Sequence, residues 1–537
     1  MMTPIPLLTS QQMRACDAYT IDTLGIPSQT LMERAAHAVI EVMREDSKSK
    51  PSAGREVLVL CGSGNNGGDG FAIARFLATE DGCTVRVAYA GAWAQAQPDV
   101  QRMSVECARQ YQLWCDIGGV TLAELPPLQD QVIVDALLGT DLHGAPRPPM
   151  DGWIRAVNES ICTVIAVDVP SGVDADNGAV YAQGDAIRCV DESGVPVQAA
   201  IRAHTTVSMA YPKRGLLFYP GAAMTGALRV ADIGIDCQSI SPQMYLLNKE
   251  HLSLLPRRPR YANKGTFGRL AVIGGEVGMC GAVSFAGRAA LRAGVGLCEI
   301  VSDERNLLPL QTLLPEAIVT PLMQGDDPLT VVEATLTRAD AAVVGCGMGR
   351  SDAARDRLAK VLTDAHTPLV LDADALNIIA LEEDGSCRDR LRECAKRNTV
   401  VITPHVGEAA RLLRKPIPEL LSDLPGAAAA LAAELGVICV LKDTRTVISD
   451  GHVAYVQSCG NSAMAKGGSG DVLAGVIGAL LCSCRRQPIS ATPTLLCALG
   501  VLLHAAAGDY VAAKMGAYAP LASELADAVG AVLGELS

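Results

Sequence analysis

The chain has 537 residues, more than one hydrophobic core usually serves, so two domains are the first expectation. Apolar residues make up 49% and charged residues 19%, a balance that excludes a disordered scaffold and fits a globular enzyme. The net charge of −13 argues against a nucleic-acid or anionic membrane surface, since both need clustered Lys and Arg.

The one basic run, PRRPR at residues 256–260, reads as part of a linker. The 18 cysteines are scattered, with no spaced CxxC pair and no signal peptide, so reduced thiols and a cytoplasmic location are expected. The longest apolar run, residues 495–507, contains His504 and falls short of a membrane span.

Two amphipathic stretches with the helical period come first, SQQMRACDAYTIDTLG and PSQTLMERAAHAVIEVM. Their start signals are Ser10, and Ser28 after Pro27, and both are expected to pack on a sheet or on a neighbouring subunit. EVLVLCG, TVRVAYAG, QVIVDALLG and CTVIAVDVPSG then read as buried strands separated by helical segments. Strand, helix and strand in repetition predict parallel strands with right-handed crossovers, a doubly wound, Rossmann-like α/β sheet.

GSGNNGGDG, residues 62–70, follows a strand and opens a helix, where glycines admit a ligand and the helix start favours an anion. Asn65, Asn66 and Asp69 supply more polar groups than a turn needs, and the spacing is not GxGxxG. Asp135 and Asp168 end the third and fourth strands, and Ser171 follows the latter. Amide, carboxylate and hydroxyl oxygens suit a hard cation better than zinc or copper. A lone Asp at a strand end is as often only a helix cap; two beside this loop are harder to dismiss.

LTSQQMRACD, GIPSQTLMERA, GSGNNGGDG, DALLGT, VDVPSGVDADNG and YPKRG resemble, in order, the YjeF N-terminal domain, the NAD(P)H-hydrate epimerase, over residues 7–236. The resemblance implies epimerisation at C6 of hydrated NADH and NADPH (NADHX and NADPHX). Asn65, Asn66, Gly67, Gly68 and Asp69, with Gly139, Thr140, Asp141, Leu142, His143, Gly144 and Ala145, would surround the substrate. Asp168 would act on the hydrate, and Asn66, Asp135 and Ser171 would hold potassium. Two positions depart from the family: Asp141 replaces the Gly of GTGL beside the ligand's phosphates, and Arg34 replaces the usual Asn after LME.

Residues 236–265 break the pattern and read as the linker, which sets domains at 1–245 and 246–537. A second series of strands follows: RLAVIGG, GLCEIVS, AAVVGCGMG, PLVLDADAL, TVVITPH and GVICVLKD. GGSGDVLAGVIGALL is glycine-rich and then helical, so the N–H groups of Gly468, Ser469 and Gly470 would face a phosphate. Asp471 in the first turn is placed to accept a proton from an attacking hydroxyl. A single acid at a helix start is often there only for the dipole; the GGSGD context makes that the weaker reading here. TPHVGE offers His405 and Glu408, LKDTRT offers Lys442 and hydroxyls for phosphates, and LDADALN adds two carboxylates. No Walker A pattern exists.

KGTFGRLAVIGG, GAVSFAGRAALRAGVGL, GCGMG, DADALN, TPHVGE and KGGSGDVLAG resemble, in family order, the YjeF C-terminal domain, a ribokinase-like ADP-dependent NAD(P)H-hydrate dehydratase. The resemblance implies that ADP, with magnesium, binds around Lys442, Asp443, Thr444, Arg445, Thr446 and Gly470. The hydrate would meet Ala282, Gly347, His405, Gly407, Glu408 and Asp471. Asp443 stands where Gly is common, which predicts weaker ADP binding by charge repulsion, and Lys466 stands where many members have Thr. A homo-oligomer is expected. The alternatives are a small-molecule kinase on the same fold, and a first domain that only binds.

Overall fold

The computed structural model describes residues 3–129, 131–142, 144–181, 199–382, 384–486 and 491–536. The chain divides into two compact units, Pro6–Pro242, and Met1–Ile5 with Gln243–Ser537. A boundary at residue 245 would cut the strand Met244–Leu247, which belongs to the second unit's sheet. This apolar run pairs in parallel with Ala454–Gln457, and Ile5–Pro6 adds an edge strand beyond it. The break in pattern that reads as a linker therefore contains a strand.

The first unit is built on seven parallel strands in the order Ala227–Ala231, Thr205–Met209, Thr163–Val167, Val132–Ala136, Glu56–Cys61, Thr84–Tyr89, Thr121–Leu122. Both faces are covered. Val57 and Val59 pack with Ala35, Val39 and Phe71, while Leu58 and Leu60 pack on the other side with Trp153 and Ile154. Burial on both faces is why these strands read as unbroken apolar runs. The strands that the pattern does not single out, Thr205–Met209, Ala227–Ala231 and Thr121–Leu122, lie toward the edges, where short or Thr-rich segments suffice.

Thr9, rather than Ser10, caps the first helix, Ser10–Ala18. Its hydroxyl accepts the Gln12 N–H while the Gln12 side chain accepts the Thr9 N–H, a reciprocal box. Pro27 takes the cap position of Ser28–Glu45 with no side-chain bond, and the apolar face of that helix joins the sheet's core.

The second unit holds eleven strands. From Ile318–Leu322 through Leu297–Asp303, Arg269–Ile273, Ala341–Val344, Leu369–Leu371, Val400–Ile402 and Ile438–Leu441 every neighbour is parallel. Val447–Ser449 then runs antiparallel to both of its neighbours. The apolar run at 495–507 is the middle of a longer helix, Pro493–Met515. By length and hydropathy that helix could cross a membrane, but 78% of its most apolar window is buried in the protein.

The helix Ser469–Arg486 packs on Cys280–Arg292 so closely that a Cβ on Gly475 would lie 2.1 Å from the Ala286 carbonyl oxygen. Gly475→Ala should therefore force the two backbones apart and destabilise the second unit by about 1–3 kcal/mol. Urea unfolding checks this; an unchanged midpoint would mean that the helices can slide without cost.

Candidate functional site

In the first unit the strand order reverses between Glu56–Cys61 and Val132–Ala136. Ligands of open parallel sheets sit outside the carboxyl ends of the strands at such a point. The loop after Glu56–Cys61 enters this crevice and becomes the helix Asn65–Thr79, whose first N–H groups lack helical partners. A Cβ on Gly67 would sit 1.9 Å from the Gly62 carbonyl oxygen, so glycine is required there for the helix start to lie on the strand end. Gly67 and Gly68 are buried behind the loop, whereas Asn65 is exposed.

Asp135 and Ser171 meet, and Asn66 joins them through Leu138. The Ser171 hydroxyl donates to Asp135 Oδ1 at 2.6 Å and its N–H to Oδ2 at 2.8 Å. The Leu138 N–H donates to Ser171 Oγ at 2.9 Å, and the Leu138 carbonyl accepts from Asn66 Nδ2 at 2.8 Å. Asn66 Oδ1 is left buried without a donor. Burial pushes the Asp135 carboxyl up to about 6, against the hydrogen bonds from Ser171 and Leu137. An orphaned amide oxygen beside a desolvated carboxylate and a hydroxyl is a donor set that fits a hard cation.

Asp168 sits at the end of Thr163–Val167 with a left-handed backbone, φ 66°, a strained conformation that clusters at functional sites. Its carboxylate accepts the Met209 N–H at 3.0 Å and is ion-paired with Lys213, whose ammonium also donates to the Met209 carbonyl at 2.8 Å. Lys213 is 1% exposed. Burial, then the charges of Asp168 and Asp17, hold the Asp69 carboxyl well above its usual range. Burial likewise pushes Asp17 up to about 6 although Lys213 opposes it. One ammonium thus serves three carboxyl groups.

Around this cluster, Thr140 accepts a hydrogen bond from the Ser10 hydroxyl at 3.1 Å. The unusual Asp141 is ion-paired with Arg14 at 2.6 Å, both exposed, so its charge is partly offset locally. Arg34 donates to the Ile233 carbonyl at 3.2 Å and fills the space over Gly234. Gly139, Leu142, Gly144 and Ala145 lie on the same loop; His143 lies outside the described residues.

The second sheet reverses between Arg269–Ile273 and Ala341–Val344. Strand ends near this point carry Asp372, His405 and Lys442, and Asp471 faces them from the first turn of Ser469–Arg486. Lys442 Nζ lies 2.8 Å from Oδ1 of the buried Asp372. Burial alone would lower the Lys442 ammonium, but Asp372 and Glu408 outweigh it and keep it charged. A Cβ on Gly470 would stand 3.3 Å from Lys442 Nζ, which puts the helix start over the ion pair.

Burial first, then the charge of Asp372, pushes the Asp471 carboxyl up to about 6, while the Cys346 thiol and Lys442 pull it down. Cys346, Asp372 and Asp471 present donor atoms within 4.8 Å of one another. The two carboxylates suit magnesium; the thiol does not.

His405 caps Val406–Leu413: its Nδ1 accepts the Gly407 N–H at 3.0 Å, and Glu408 Oε2 accepts the His405 N–H at 2.9 Å. The His405 ring is exposed, and Glu408 is buried. Gly347 has φ 57°, and a Cβ there would be 3.1 Å from the Ala282 Cβ, so these two site candidates adjoin. Asp443 and Thr444 are exposed and Thr446 is buried. Arg445 turns away to the carbonyls of Ser458 and Cys459, at 3.4 and 3.3 Å. Lys466 donates to the Tyr518 carbonyl at 2.6 Å.

Lys213, Asp17 and Cys346 are site residues that sequence reasoning missed. Lys213 had one signal, its place in YPKRG directly after a strand, but Thr205–Met209 does not stand out as a strand in the sequence.

The raised Asp471 carboxyl has a consequence for stability. Its folded value, about 6, lies above the usual 3.8, so the folded state holds the proton more tightly than the unfolded chain. The ionised form costs stability above about pH 6, and that cost vanishes as the pH falls below 3.8. Asp471→Asn should therefore stabilise the protein at about pH 8, by on the order of 1–3 kcal/mol, and not at about pH 3.5. Equal gains at both values, by chemical denaturation, would overturn the assignment.

Two α/β units with largely parallel sheets, each with a glycine-bearing helix start and clustered carboxylates at its switch point, define a two-site α/β enzyme. Residues 270–530 match the family model described as NAD(P)H-hydrate dehydratase, and residues 28–215 the model of the YjeF-related protein N-terminus. The bifunctional NAD(P)H-hydrate repair enzyme of Escherichia coli strain K12 is 37% identical, covering 94% of this chain and 89% of its own. That of Moorella thermoacetica is 34% identical, covering 99% and 97%. A solved ADP/ATP-dependent NAD(P)H-hydrate dehydratase from Bacillus subtilis, co-crystallised with ATP and Mg2+, is 29% identical with a TM-score of 0.45, covering 54% of this chain and 97% of that one. The chain belongs to the family of bifunctional NAD(P)H-hydrate repair enzymes.

Proposed function

We propose that the first unit interconverts the R and S forms of NADHX and NADPHX, and that the second returns the S form to NADH or NADPH at the expense of ADP. The observation that carries the second half is Asp471: a half-buried carboxyl raised to about 6, in the first turn of a glycine-rich helix start and facing Lys442. A base near neutrality at an anion-binding helix end suits proton removal coupled to phosphoryl transfer.

Asp471 takes the proton of the C6 hydroxyl, whose oxygen attacks the β-phosphorus of ADP. The bond from that phosphorus to the bridging oxygen breaks and AMP leaves. Lys442 and the N–H groups at Gly468–Gly470's helix start stabilise the charge on the transferring phosphoryl group. Inorganic phosphate then departs from C6 with the C–O bonding pair, the departing phosphate takes the proton from C5, and the C5=C6 double bond of the dihydropyridine is restored. Phosphate is a far better leaving group than hydroxide. Asp372 would hold magnesium, which would supply charge neutralisation during the transfer.

In the first unit Asp168, ion-paired with Lys213, takes the hydroxyl proton of the hydrate, and Asp69, whose carboxyl burial holds above its usual range, supplies one to the ring nitrogen. The C6–N bond opens to an aldehyde and recloses on the other face, which inverts C6. Potassium fits Asn66, Asp135 and Ser171, where the buried Asn66 Oδ1 lacks a donor, and would fix the loop that carries Asn65.

Asp471→Asn should lower kcat of dehydration by about 10²–10⁴-fold with little change in KM, since the base acts only in the transition state. Wild-type kcat/KM should fall as the pH drops below about 6. The readout is recovery of the reduced-nicotinamide absorbance together with free phosphate; a stable phosphoester instead would make the unit a kinase. Near-normal recovery by the folded variant would require another base.

Asp135→Ala should slow epimerisation and spare dehydration of pure S hydrate. Wild-type epimerase assayed with and without potassium completes the test: equal rates in both buffers would make the ion incidental.

A further inference from the structure

The basic run at 256–260, which reads as a linker in the sequence, lines a groove of about 650 Å³ in the second unit. Its floor is apolar, formed by Leu252, Leu255, Leu480 and Leu533, and Arg257, Arg258, Arg260 and Arg292 stand around it. Among the described residues, no Asp or Glu lines it. On a chain of net charge −13, four guanidiniums about one groove, of which Arg292 alone is ion-paired among the described residues, are a local reversal of sign.

Two of the arginines are built into the wall. The Arg258 guanidinium lies 3.6 Å over the Phe267 ring and donates to the Gly294 carbonyl at 3.0 Å. Gly294 has φ 103°, and a Cβ there would come within 2.6 Å of Arg258 Nη1, so the groove accepts this guanidinium because the position is glycine. Arg292 is oriented through Nε by Asp527 at 2.9 Å, a carboxylate it shares with Arg288. Arg257 and Arg260 are exposed and have no ion pair among the described residues.

The groove is separate from the site described above. Phe267 and Gly294 precede the strands Arg269–Ile273 and Leu297–Asp303, so it lies at the amino edge of the sheet, whereas Asp372, Lys442 and Asp471 gather at the carboxyl edge. Leu480 and Asp471 share one helix, nine residues apart, which separates them by roughly 14 Å along its axis.

We propose that this groove binds an organic phosphate, a dianionic phosphate on an apolar or aromatic body. The volume falls in the range of small-ligand sites, the floor accepts the body, and guanidinium forks match phosphate oxygens.

The test is calorimetric titration of the intact protein with 1-naphthyl phosphate, beside 1-naphthol, inorganic phosphate and phosphatidylglycerol vesicles. Arg257→Glu combined with Arg260→Glu should weaken 1-naphthyl phosphate by more than about tenfold, since two cations become anions. The milder pair Arg257→Gln and Arg260→Gln should weaken it in the same direction and guards against misfolding of the first. Lys442→Ala should leave this binding unchanged. 1-Naphthol and inorganic phosphate should each bind more weakly than the compound that joins them. The proposal is overturned if both Arg variants bind like the wild type, or if Lys442→Ala abolishes binding, which would assign it to the nucleotide site. Binding of vesicles in place of the soluble phosphate would also overturn it, in favour of a lipid surface.

Discussion

A single ammonium among several carboxyl groups governs each unit. In the first, Lys213 faces Asp168, with Asp69 and Asp17 close enough to feel both charges. In the second, Lys442 faces Asp372, with Glu408 and Asp471 beside it. One cation cannot neutralise three desolvated acids, so those left unpaired hold their protons to higher pH. That imbalance produces carboxyl groups able to exchange protons near neutrality, which acid–base chemistry on a hydrated nicotinamide requires.

The parallel sheet is what collects these groups. Residues such as Asp135, Asp168 and Ser171, or Asp372, His405 and Lys442, come from separate segments, yet each parallel strand delivers its carboxyl end to one edge. Close packing fixes the rest. Glycine at 67 lets a helix start lie on Gly62, and glycine at 475 lets the helix that bears Asp471 lie on Cys280–Arg292. The positive backbone angles of Asp168 and Ala373, both at strand ends beside the clusters, are strain held in place by the surrounding sheet.

Much of the site was legible because its residues stand in local motifs. The Asn-Asn-Gly-Gly-Asp loop, the Gly-Gly-Ser-Gly-Asp helix start and the aspartates at strand ends each announce themselves within a few residues. Lys213 does not, because its role depends on a strand next to the sheet's edge, Thr205–Met209, too short and too rich in Thr to read as one. Arg445 enters the ADP set through the family resemblance; that its side chain also reaches the carbonyls of Ser458 and Cys459 is beyond any local reading. Asp141 stood out as a stray charge; its partner Arg14 lies on a helix far upstream, beyond any local reading.

By itself, the sequence determined the α/β class, the family, the doubly covered central strands and the glycine-rich helix starts, because each depends on periodicity or on contacts between near neighbours. Only the tertiary structure decided which carboxyl group pairs with which lysine, and therefore which stays protonated. It also decided that Met244–Leu247 and Ile5–Pro6 join the second sheet, and that the arginines at 256–260 face an apolar groove rather than solvent alone. Charge state and burial are set by groups far away in the chain, at distances of a few ångströms that no sequence spacing encodes.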